Sequence, residues 1–344
     1  MQRLIVYMPA THHRKRDAMI RSRDTLHFAC AMFLAVAAVP AAAQDAYPTK
    51  PVRMIAPFPP GGSSDVLCRL IAQKLTASFG RQVIVDNRPG AGGSIGHEVA
   101  AKAPADGYTL LLTAKAALVV NPLLYTRIPY DPLNDFAFIS IVVSAGPVLV
   151  VHPSVPARNV KELIALAKSR PGQLNYGSGG LGTTAHIVGE FFQVITGAKL
   201  VHVPYKGGAV AMLDLVAGQT DLQFGDMVPA VPHVRSGRLR ALAVTSEKRS
   251  AALPDTPTMA QAGLQESFPS QWWGVAAPKG APSAVIARVN ADLGNIVRMP
   301  DVVERFNSLG IFAEHTTPER MLEVVKAEGP PMAKLLKAAG IQPH

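Results

Sequence analysis

The chain has 344 residues, of which 48% are hydrophobic and 17% are charged, and this composition is typical of a soluble protein of about two domains. The formal net charge is +10, but residues 1–43 hold six Lys/Arg and two Asp/Glu, which leaves 28 basic and 22 acidic groups in the rest. The basic residues of that remainder form no dense run, so nucleic acid is not an expected partner. Mild basicity favours anionic solutes.

The N-terminus has the pattern of a secretory signal peptide. Arg21 and Arg23 precede an apolar run over residues 28–39, which is too short to span a bilayer as a permanent helix. A small-residue motif then predicts cleavage after Ala43. We therefore expect residues 1–43 to be removed and the mature chain to be periplasmic. Met1 and Met19 both remain possible starts, because Met19 would give a signal of normal length.

From residue 51 the chain alternates predicted strands and helices. The first strand covers residues 52–56, and the following helix covers residues 64–79, with Ser63 or Ser64 as its N-cap. Cys68 is the one cysteine beyond residue 43, and its apolar position predicts burial as a small hydrophobe. Further strands are predicted at 83–86, 108–113, 136–142, 148–151, 174–176, 201–203, 222–224, 241–244 and 272–277, and further helices at 94–103, 160–169, 183–196, 208–217, 228–236, 282–298, 301–308 and 318–338.

Two local features complete this pattern. The strand that ends near Thr113 is followed by small residues, which we interpret as a loop. Pro330 and Pro331 lie inside the last predicted helix, where proline removes a hydrogen bond and clashes with the preceding turn, so a kink or break is expected there.

The order of elements predicts the architecture. A strand, a glycine-rich turn and a helix occur near residue 52 and again near residue 174. Strands that alternate with helices form βαβ units, so we predict an α/β, two-lobed periplasmic-binding-protein (Venus flytrap) fold whose lobes are doubly wound, mostly parallel sheets flanked by helices. Lobe 1 would comprise residues 44–144 and 272–344, and lobe 2 residues 145–271. The two crossings would form a hinge that closes on a solute.

The two glycine-rich turns are the most informative motifs. Residues 57–65 read PFPPGGSSD and residues 177–186 read GSGGLGTTAH, and each turn connects a strand to a helix. Such a turn exposes backbone N–H groups and the positive end of the helix dipole, which together form an anion site. Two such turns indicate an anion held between two lobes.

Enzymatic alternatives have weaker support. Residues 177–182 match G-x-G-x-x-G, but the acidic residue that a dinucleotide site needs at the end of the next strand is missing. Residues 92–96 match G-x-S-x-G, which would make Ser94 the nucleophile of a secreted hydrolase. Because residues 87–91 separate it from the preceding strand, Ser94 is better explained as a helix N-cap. We predict no catalytic residue, cofactor or metal site.

Four further polar residues have two interpretations each. His186 could donate to a ligand or bond locally. Asp65 and Asp226 follow predicted strands, where each could contact a ligand or stabilise a neighbouring helix. Lys115 could be solvated, but its small neighbours and its place after a strand favour a contact with a ligand carboxylate.

Several segments, in this order, resemble the Bug, or TctC-like, family, the periplasmic substrate-binding receptors of tripartite tricarboxylate transporters. The resemblance covers about residues 47–342. It is specific because all the segments occur together, whereas each segment alone would be a weak signal. The segments that carry it are Tyr47–Arg53, Pro57–Asp65, Val85–Gly93, Ala105–Leu110, Val150–Ser154, Leu174–His186, Val203–Gly207 and Leu239–Thr245.

The resemblance implies a receptor without catalysis that binds a small organic carboxylate and passes it to membrane permease subunits; we expect a monomer. A receptor that reports to a signalling partner instead remains open, because both roles use the same closed state. The ligand contacts implied for this chain are Phe58, Gly61, Gly62, Ser63 and Asp65 in lobe 1, and Ser178, Gly179, Gly182, Thr183 and Thr184 in lobe 2, with Tyr205 and Asp226 at the rim.

The chain departs from the family pattern in three places. Lys115 stands among alanines where the family usually has small polar residues, which favours a second ligand carboxylate. The segment Gln223–Met227 shifts or replaces a usual acidic and amide pair, so the role of Asp226 is open. Gly329, Pro330 and Pro331 interrupt a helix that the family keeps continuous.

Overall fold

The computed structural model describes Gln2 and residues 47–343. The predicted signal peptide and its cleavage after Ala43 lie outside the described residues. The structure confirms the two-lobed α/β fold, with one mixed sheet in each lobe.

Lobe 1 is built on a six-stranded sheet whose strands lie in the order β11 (Phe312–Ala313), β4 (Phe136–Ala145), β10 (Gln271–Pro278), β3 (Thr109–Ala114), β1 (Val52–Ala56) and β2 (Val83–Asn87). Four of these strands, β1 to β4, run in one direction, and β10 and β11 run in the other. The helices of lobe 1 are α1 (Ser63–Phe79), α2 (Ser94–Ala101) and α3 (Asn121–Leu124), and a π-helical turn (Ala116–Val120) precedes α3. A later segment of the chain returns to this lobe and adds α8 (Ser283–Ile296), α9 (Pro300–Leu309) and α10 (Pro318–Ala338).

Lobe 2 is built on a five-stranded sheet with the order β7-β6-β8-β5-β9, in which β5 alone runs against the other strands. Its elements are β5 (Val148–Val151), α4 (Val160–Ser169), β6 (Leu174–Ser178), α5 (Thr184–Thr196), β7 (Leu200–Pro204), α6 (Gly208–Val216), β8 (Leu222–Gly225), α7 (Met227–Arg235) and β9 (Arg240–Val244), and the chain then returns to lobe 1 through β10 (Gln271–Pro278), α8 (Ser283–Ile296), α9 (Pro300–Leu309), β11 (Phe312–Ala313) and α10 (Pro318–Ala338).

Alternation along β1 shows how sequence positions the sheet. Met54 packs with Leu67 and Cys68 of α1 on one face, while Ile55 lies in the cluster on the opposite face. Cys68 is free and fully buried, as predicted, and burial raises the pKa of its thiol. The same alternation recurs in β8, where Leu222 and Phe224 belong to the lobe 2 core.

The strand directions place one set of chain ends at the gap between the lobes. The carboxyl ends of β1 and β3 and the start of β10 share one edge of the first sheet. In the second sheet the carboxyl ends of β6, β7 and β8 share one edge. Loops that follow parallel strands at such edges are the usual place for a ligand in α/β proteins.

The predicted loop after Thr113 is wrong, because the chain continues as a π-helical turn and α3. Alanine is the strongest helix former, so the run of small residues that suggested a loop is compatible with a helix. Lys115 consequently stands at the start of this helical segment.

The N-cap predictions for the first two helices are also wrong. Gly62 caps α1 and Gly93 caps α2, neither with a side-chain bond. The serine hydroxyls have other partners: Ser64 Oγ accepts from Trp273 Nε1 at 3.1 Å, and Ser94 Oγ accepts from Asn121 Nδ2 at 3.1 Å. Helix 160–169, in contrast, has a side-chain cap: Asn159 Oδ1 accepts from the Glu162 N–H at 2.9 Å.

The last helix, α10, runs from Pro318 to Ala338 without a break. Pro330 and Pro331 deprive the carbonyls of Lys326 and Ala327 of their helical donors. All four residues are exposed, so water can satisfy those carbonyls and the helix continues. Within the described part of the chain, no helix combines the length and apolar character needed to cross a membrane.

Candidate functional site

A cavity lies between the two lobes, where the strand ends meet. The space between its walls, counted out to the open mouth and including solvent there, is about 660 Å³. Loops after β1, β3, β6, β7 and β8 and the first residues of β10 form its walls. The lining consists of Phe58, Pro59, Gly62, Ser63, Ser64, Ala114, Ala116, Gly179, Thr183, Thr184, Ala185, Gly207, Gly208, Ala209, Gln223, Asp226, Gln271 and Trp273.

Three helix N-termini converge on this cavity. Helix α1 contributes residues 62–64, α5 contributes residues 183–185, and α6 contributes residues 207–209. The first N–H groups of a helix have no partner within it, and the helix dipole adds partial positive charge there. The cavity therefore suits an anionic group, although its lining holds no lysine or arginine.

A hydrogen bond crosses from one lobe to the other at the cavity wall. Ser63 Oγ, in the first turn of α1, donates to Asp226 Oδ2 at 2.9 Å, and Asp226 is the N-cap residue of α7. Burial raises the pKa of Asp226, and hydrogen bonds from Ser63 and Gln271 offset only part of that rise. The Asp226 side chain makes no cap bond to α7; its carboxyl group joins the lobes instead.

The floor of the cavity comes from β10 and β8. Trp273 is fully buried, and its indole N–H donates to Ser64 Oγ. Gln223 is also buried, and its Nε2 donates to the Gly208 carbonyl at 3.4 Å. These bonds connect the sheets to the first turns of α1 and α6.

Glycines permit the two lobes to approach closely. A Cβ on Gly207 would lie 3.0 Å from the Pro59 ring, and a Cβ on Gly182 would lie 2.7 Å from Leu124. Beside the second contact, the Tyr125 hydroxyl donates to the Leu181 carbonyl at 3.4 Å. The lobes thus touch at two places.

Seven of the predicted ligand residues line the cavity, and they come from both lobes. They are Phe58, Gly62, Ser63, Gly179, Thr183, Thr184 and Asp226. The other seven, Gly61, Asp65, Lys115, Ser178, Gly182, His186 and Tyr205, stand outside this lining among the described residues.

Asp65 braces the first turn. Its carboxylate accepts from the Gly61 N–H at 3.0 Å and from Asn87 Nδ2 at 3.0 Å, and it pairs with Arg69 at 2.9 Å. Burial alone would raise the pKa of Asp65, but the bonds from Arg69, Gly61 and Asn87 hold it below its usual range. The carboxylate therefore holds the loop that leads into α1.

Lys115 pairs with a residue of the last helix. Its Nζ lies 3.4 Å from Glu328 Oε2, and its side chain is only 9% exposed. The same carboxylate oxygen accepts from Trp272 Nε1 at 2.9 Å. The Lys115 charge is thus matched by Glu328 rather than directed at the cavity.

Two histidines and a serine stabilise the second glycine-rich turn. The Ser178 hydroxyl donates to the Gly180 carbonyl and lies 2.6 Å from His202 Nε2. His186 Nδ1 accepts from the Gly182 N–H at 3.2 Å, and its ring stacks on His202 with centroids 4.3 Å apart. At the next loop, burial and a hydrogen bond with Asp214 raise the pKa of Tyr205.

The surroundings of Ser94 differ from those of a hydrolase nucleophile. Its hydroxyl contacts Asn121, and it is buried. The nearby His97 is engaged at both ring nitrogens: Nδ1 donates to the Gly93 carbonyl, and Nε2 accepts from Thr113, each at 2.8 Å. Among the residues that the structure describes, no group of three His, Cys, Asp or Glu side chains could hold a metal ion.

Sequence reasoning missed the third helix N-terminus and the floor. Gly207 and Gly208 come after β7 with two residues between, so a strand, a glycine pair and a helix were present as a signal in the sequence. Gln223, Gln271 and Trp273 gave no such signal, since an amide or an indole inside a strand has no characteristic spacing.

Comparisons with known proteins agree with this geometry. Residues 67–335 match the family described as "Tripartite tricarboxylate transporter family receptor". The chain belongs to this family. The tripartite tricarboxylate transporter receptors, which include the Bug proteins, are periplasmic solute receptors, and the chain shares their two-lobed fold.

Individual family members resemble the chain over most of its length. Protein BugT of Bordetella pertussis is 41% identical over 291 residues, which is 84% of this chain and 89% of BugT. The structure of R. palustris Rpa4515 with adipate has a TM-score of 0.85 and 34% identity, covering 87% of this chain and all of that one. MatC from Rhodopseudomonas palustris with bound malate has a TM-score of 0.80 and 26% identity, covering 84% of this chain and all of that one.

Proposed function

We propose that the mature chain is a non-catalytic receptor that binds a small organic acid by its carboxylate in the interlobe cavity. It then delivers this solute to the membrane subunits of a tripartite tricarboxylate-type transporter. The observation that carries the proposal is the convergence of three helix N-termini on one cavity without a lysine or arginine in its lining.

Binding uses fixed dipoles of the protein instead of a charged side chain. The N–H groups at the starts of α1, α5 and α6 donate to the ligand carboxylate, and the hydroxyls of Thr183 and Thr184 line the same wall. Donors already held in place by the helices lose little entropy on binding. The two facing lobes then exclude water from the charged end of the ligand.

The relatives of known structure support the choice of ligand class. Rpa4515 was solved with adipate and MatC with malate, and both ligands carry carboxylates.

The lobe-to-lobe contacts at Ser63–Asp226 and Pro59–Gly207 supply a closed state. Opening of those contacts at the membrane subunits would release the solute.

Isothermal titration of the mature chain against mono-, di- and hydroxycarboxylic acids tests the binding step. We expect at least one acid to bind, and at a hundredfold excess over its dissociation constant it should raise the unfolding free energy by about 2.7 kcal/mol. Thr184→Val should raise the dissociation constant of the complex with that acid. Thr196→Val, at the opposite end of α5, is the matched control and should leave the dissociation constant unchanged. Absence of binding by every acid would contradict the proposal.

Delivery needs a separate assay. The receptor and its membrane subunits, reconstituted in vesicles, should take up the bound acid only when the receptor is present. Uptake at the same rate without the receptor would contradict the delivery step and leave the binding step intact.

A further inference from the structure

One side chain of the cavity lining is out of place in an anion site. Of the eighteen lining residues, Asp226 is the only one with an ionisable side chain. A ligand carboxylate therefore enters a cavity that already holds a carboxyl group. Two ionised carboxylates sharing a confined site repel each other, and one of them then retains a proton.

The contacts of Asp226 place it beside two of the three helix N-termini. Its Oδ2 accepts from Ser63 in the first turn of α1. The same oxygen lies 4.0 Å from the position that a Cβ on Gly208 would take, at the start of α6. Asp226 thus shares the positive potential of α1 and α6 with the ligand carboxylate, which also meets the N-terminus of α5.

Gln223 provides a second, independent observation. It precedes Asp226 by three residues, lines the cavity and is 1% exposed. Its Nε2 donates to Gly208, but among the described residues its Oε1 has no hydrogen-bond donor. A buried acceptor without a donor costs about 1–3 kcal/mol, and a donor on the ligand would remove this cost.

We propose that Asp226 and Gln223 make this receptor select a carboxylate whose second polar group donates a hydrogen bond: a hydroxyl, an ammonium, or a carboxyl group that keeps its proton. This inference rests on the proposed function of the cavity. It assigns Asp226 a role in ligand choice that goes beyond holding the lobes together.

The charged groups around Asp226 leave its charge unbalanced. On α1, Asp65 pairs with Arg69 and is directed at Gly61 and Asn87. The neighbouring start of β10 offers the neutral Gln271, α6 starts with Gly208, and α7 continues with Met227.

The buried lysine of lobe 1 does not compensate for a second ligand charge. Lys115 is paired with Glu328. No lysine, arginine or histidine belongs to the described lining. A ligand with two ionised carboxylates would therefore meet Asp226 without a counter-charge.

The test is calorimetric titration with matched pairs of ligands, each an ω-hydroxy acid and the diacid of equal length, from three to eight carbons. Measurements at pH 6 and pH 8 compare wild type with Asp226→Asn, which keeps the shape of the side chain and removes its charge. Ser63→Ala is the control, because it removes the bond between the lobes and leaves the carboxyl group in place.

In wild type at pH 8 we expect the hydroxy acid to bind at least about tenfold more tightly than its diacid, and the diacid to gain affinity at pH 6. Asp226→Asn should raise the affinity for the diacid about tenfold at pH 8, and this affinity should no longer depend on pH. Ser63→Ala should lower the affinity for both ligands by the same factor.

Two results would overturn the inference while preserving carboxylate binding: diacids that bind as well as hydroxy acids at pH 8, or an Asp226→Asn variant that changes both ligands equally. A Ser63→Ala variant that reproduced the selective gain would also overturn it, since the effect would then come from closure. If no acid bound to wild type or variant, the proposed function itself would fail.

Discussion

Ser63 and Asp226 lie 163 residues apart in the sequence, and their side chains form a 2.9 Å hydrogen bond that joins the two lobes. Both residues also line the cavity between the lobes. The group that holds the lobes together is therefore part of the surface that a ligand meets. We therefore expect closure of the lobes and ligand binding to be coupled through this pair.

Replacement of Ser63 by alanine tests that coupling. The variant loses one hydrogen bond to the half-buried Asp226 carboxyl group, which is worth about 1.5–3 kcal/mol, so ligand affinity should fall by roughly 10- to 100-fold. Isothermal titration measures the change. Ser169→Ala, an exposed serine on α4, is the control and should bind like wild type. Equal affinities for Ser63→Ala and wild type would show that the bond does not contribute to closure.

The sequence favoured a contact between Lys115 and a ligand carboxylate, but its position in the structure predicts a role in stability. Because its ammonium pairs with Glu328, Lys115→Ala should destabilise the fold by about 1–3 kcal/mol, between the usual values for exposed and buried pairs. The substitution should lower the affinity for monocarboxylates and for dicarboxylates by similar factors. Chemical denaturation and titration with a matched acid pair measure the two effects. Selective loss of the dicarboxylate would instead place the Lys115 charge at the ligand.

Two glycines should respond in opposite directions to the same substitution. A Cβ on Gly179 would lie 2.8 Å from the Gly208 nitrogen, so Gly179→Ala must displace the start of α6 and should cost about 1–3 kcal/mol as well as ligand affinity. Gly329 has open space around its Cβ position inside α10, so Gly329→Ala should stabilise by about 1 kcal/mol. Thermal unfolding compares them. A stable, ligand-binding Gly179→Ala protein would contradict the close packing of the two turns.

Acid should destabilise the protein through two histidines. Burial lowers the pKa of His97 and of His202 from 6.5 to about 4. The unfolded chain then binds protons that the native chain does not, so the stability is fully present above pH 6.5 and is lost as the pH falls towards about 4. Denaturant titrations at pH 7, 6, 5 and 4 measure this decline. His97→Gln and His202→Gln should each make it shallower; declines identical to that of the wild type in both variants would contradict this explanation.

The sequence was sufficient for the fold because strands and helices leave local patterns. Alternation in β1 and the apolar spacing of α1 predicted both elements to within one residue. The helical turn at Ala116–Val120 was missed, because small residues are compatible with both a loop and a helix. The continuity of α10 through Pro330 depended on solvent exposure, which the sequence does not reveal.

The candidate site was only partly predictable, for a different reason. Glycine-rich turns after strands are a local signal, and they led to residues such as Gly62 and Gly179 that line the cavity. The partners of Lys115 and Ser63 are Glu328 and Asp226, which are distant in the chain. Such pairs arise from tertiary packing, so a single sequence gives no information about them.

Native mass spectrometry after incubation with a mixture of organic acids tests most directly whether this chain holds a carboxylate between its lobes. We expect one acid per chain for the wild-type protein, and a strongly reduced bound fraction for Gly179→Ala. A spectrum that showed only the bare wild-type chain, or an equal bound fraction in the Gly179→Ala protein, would contradict this expectation.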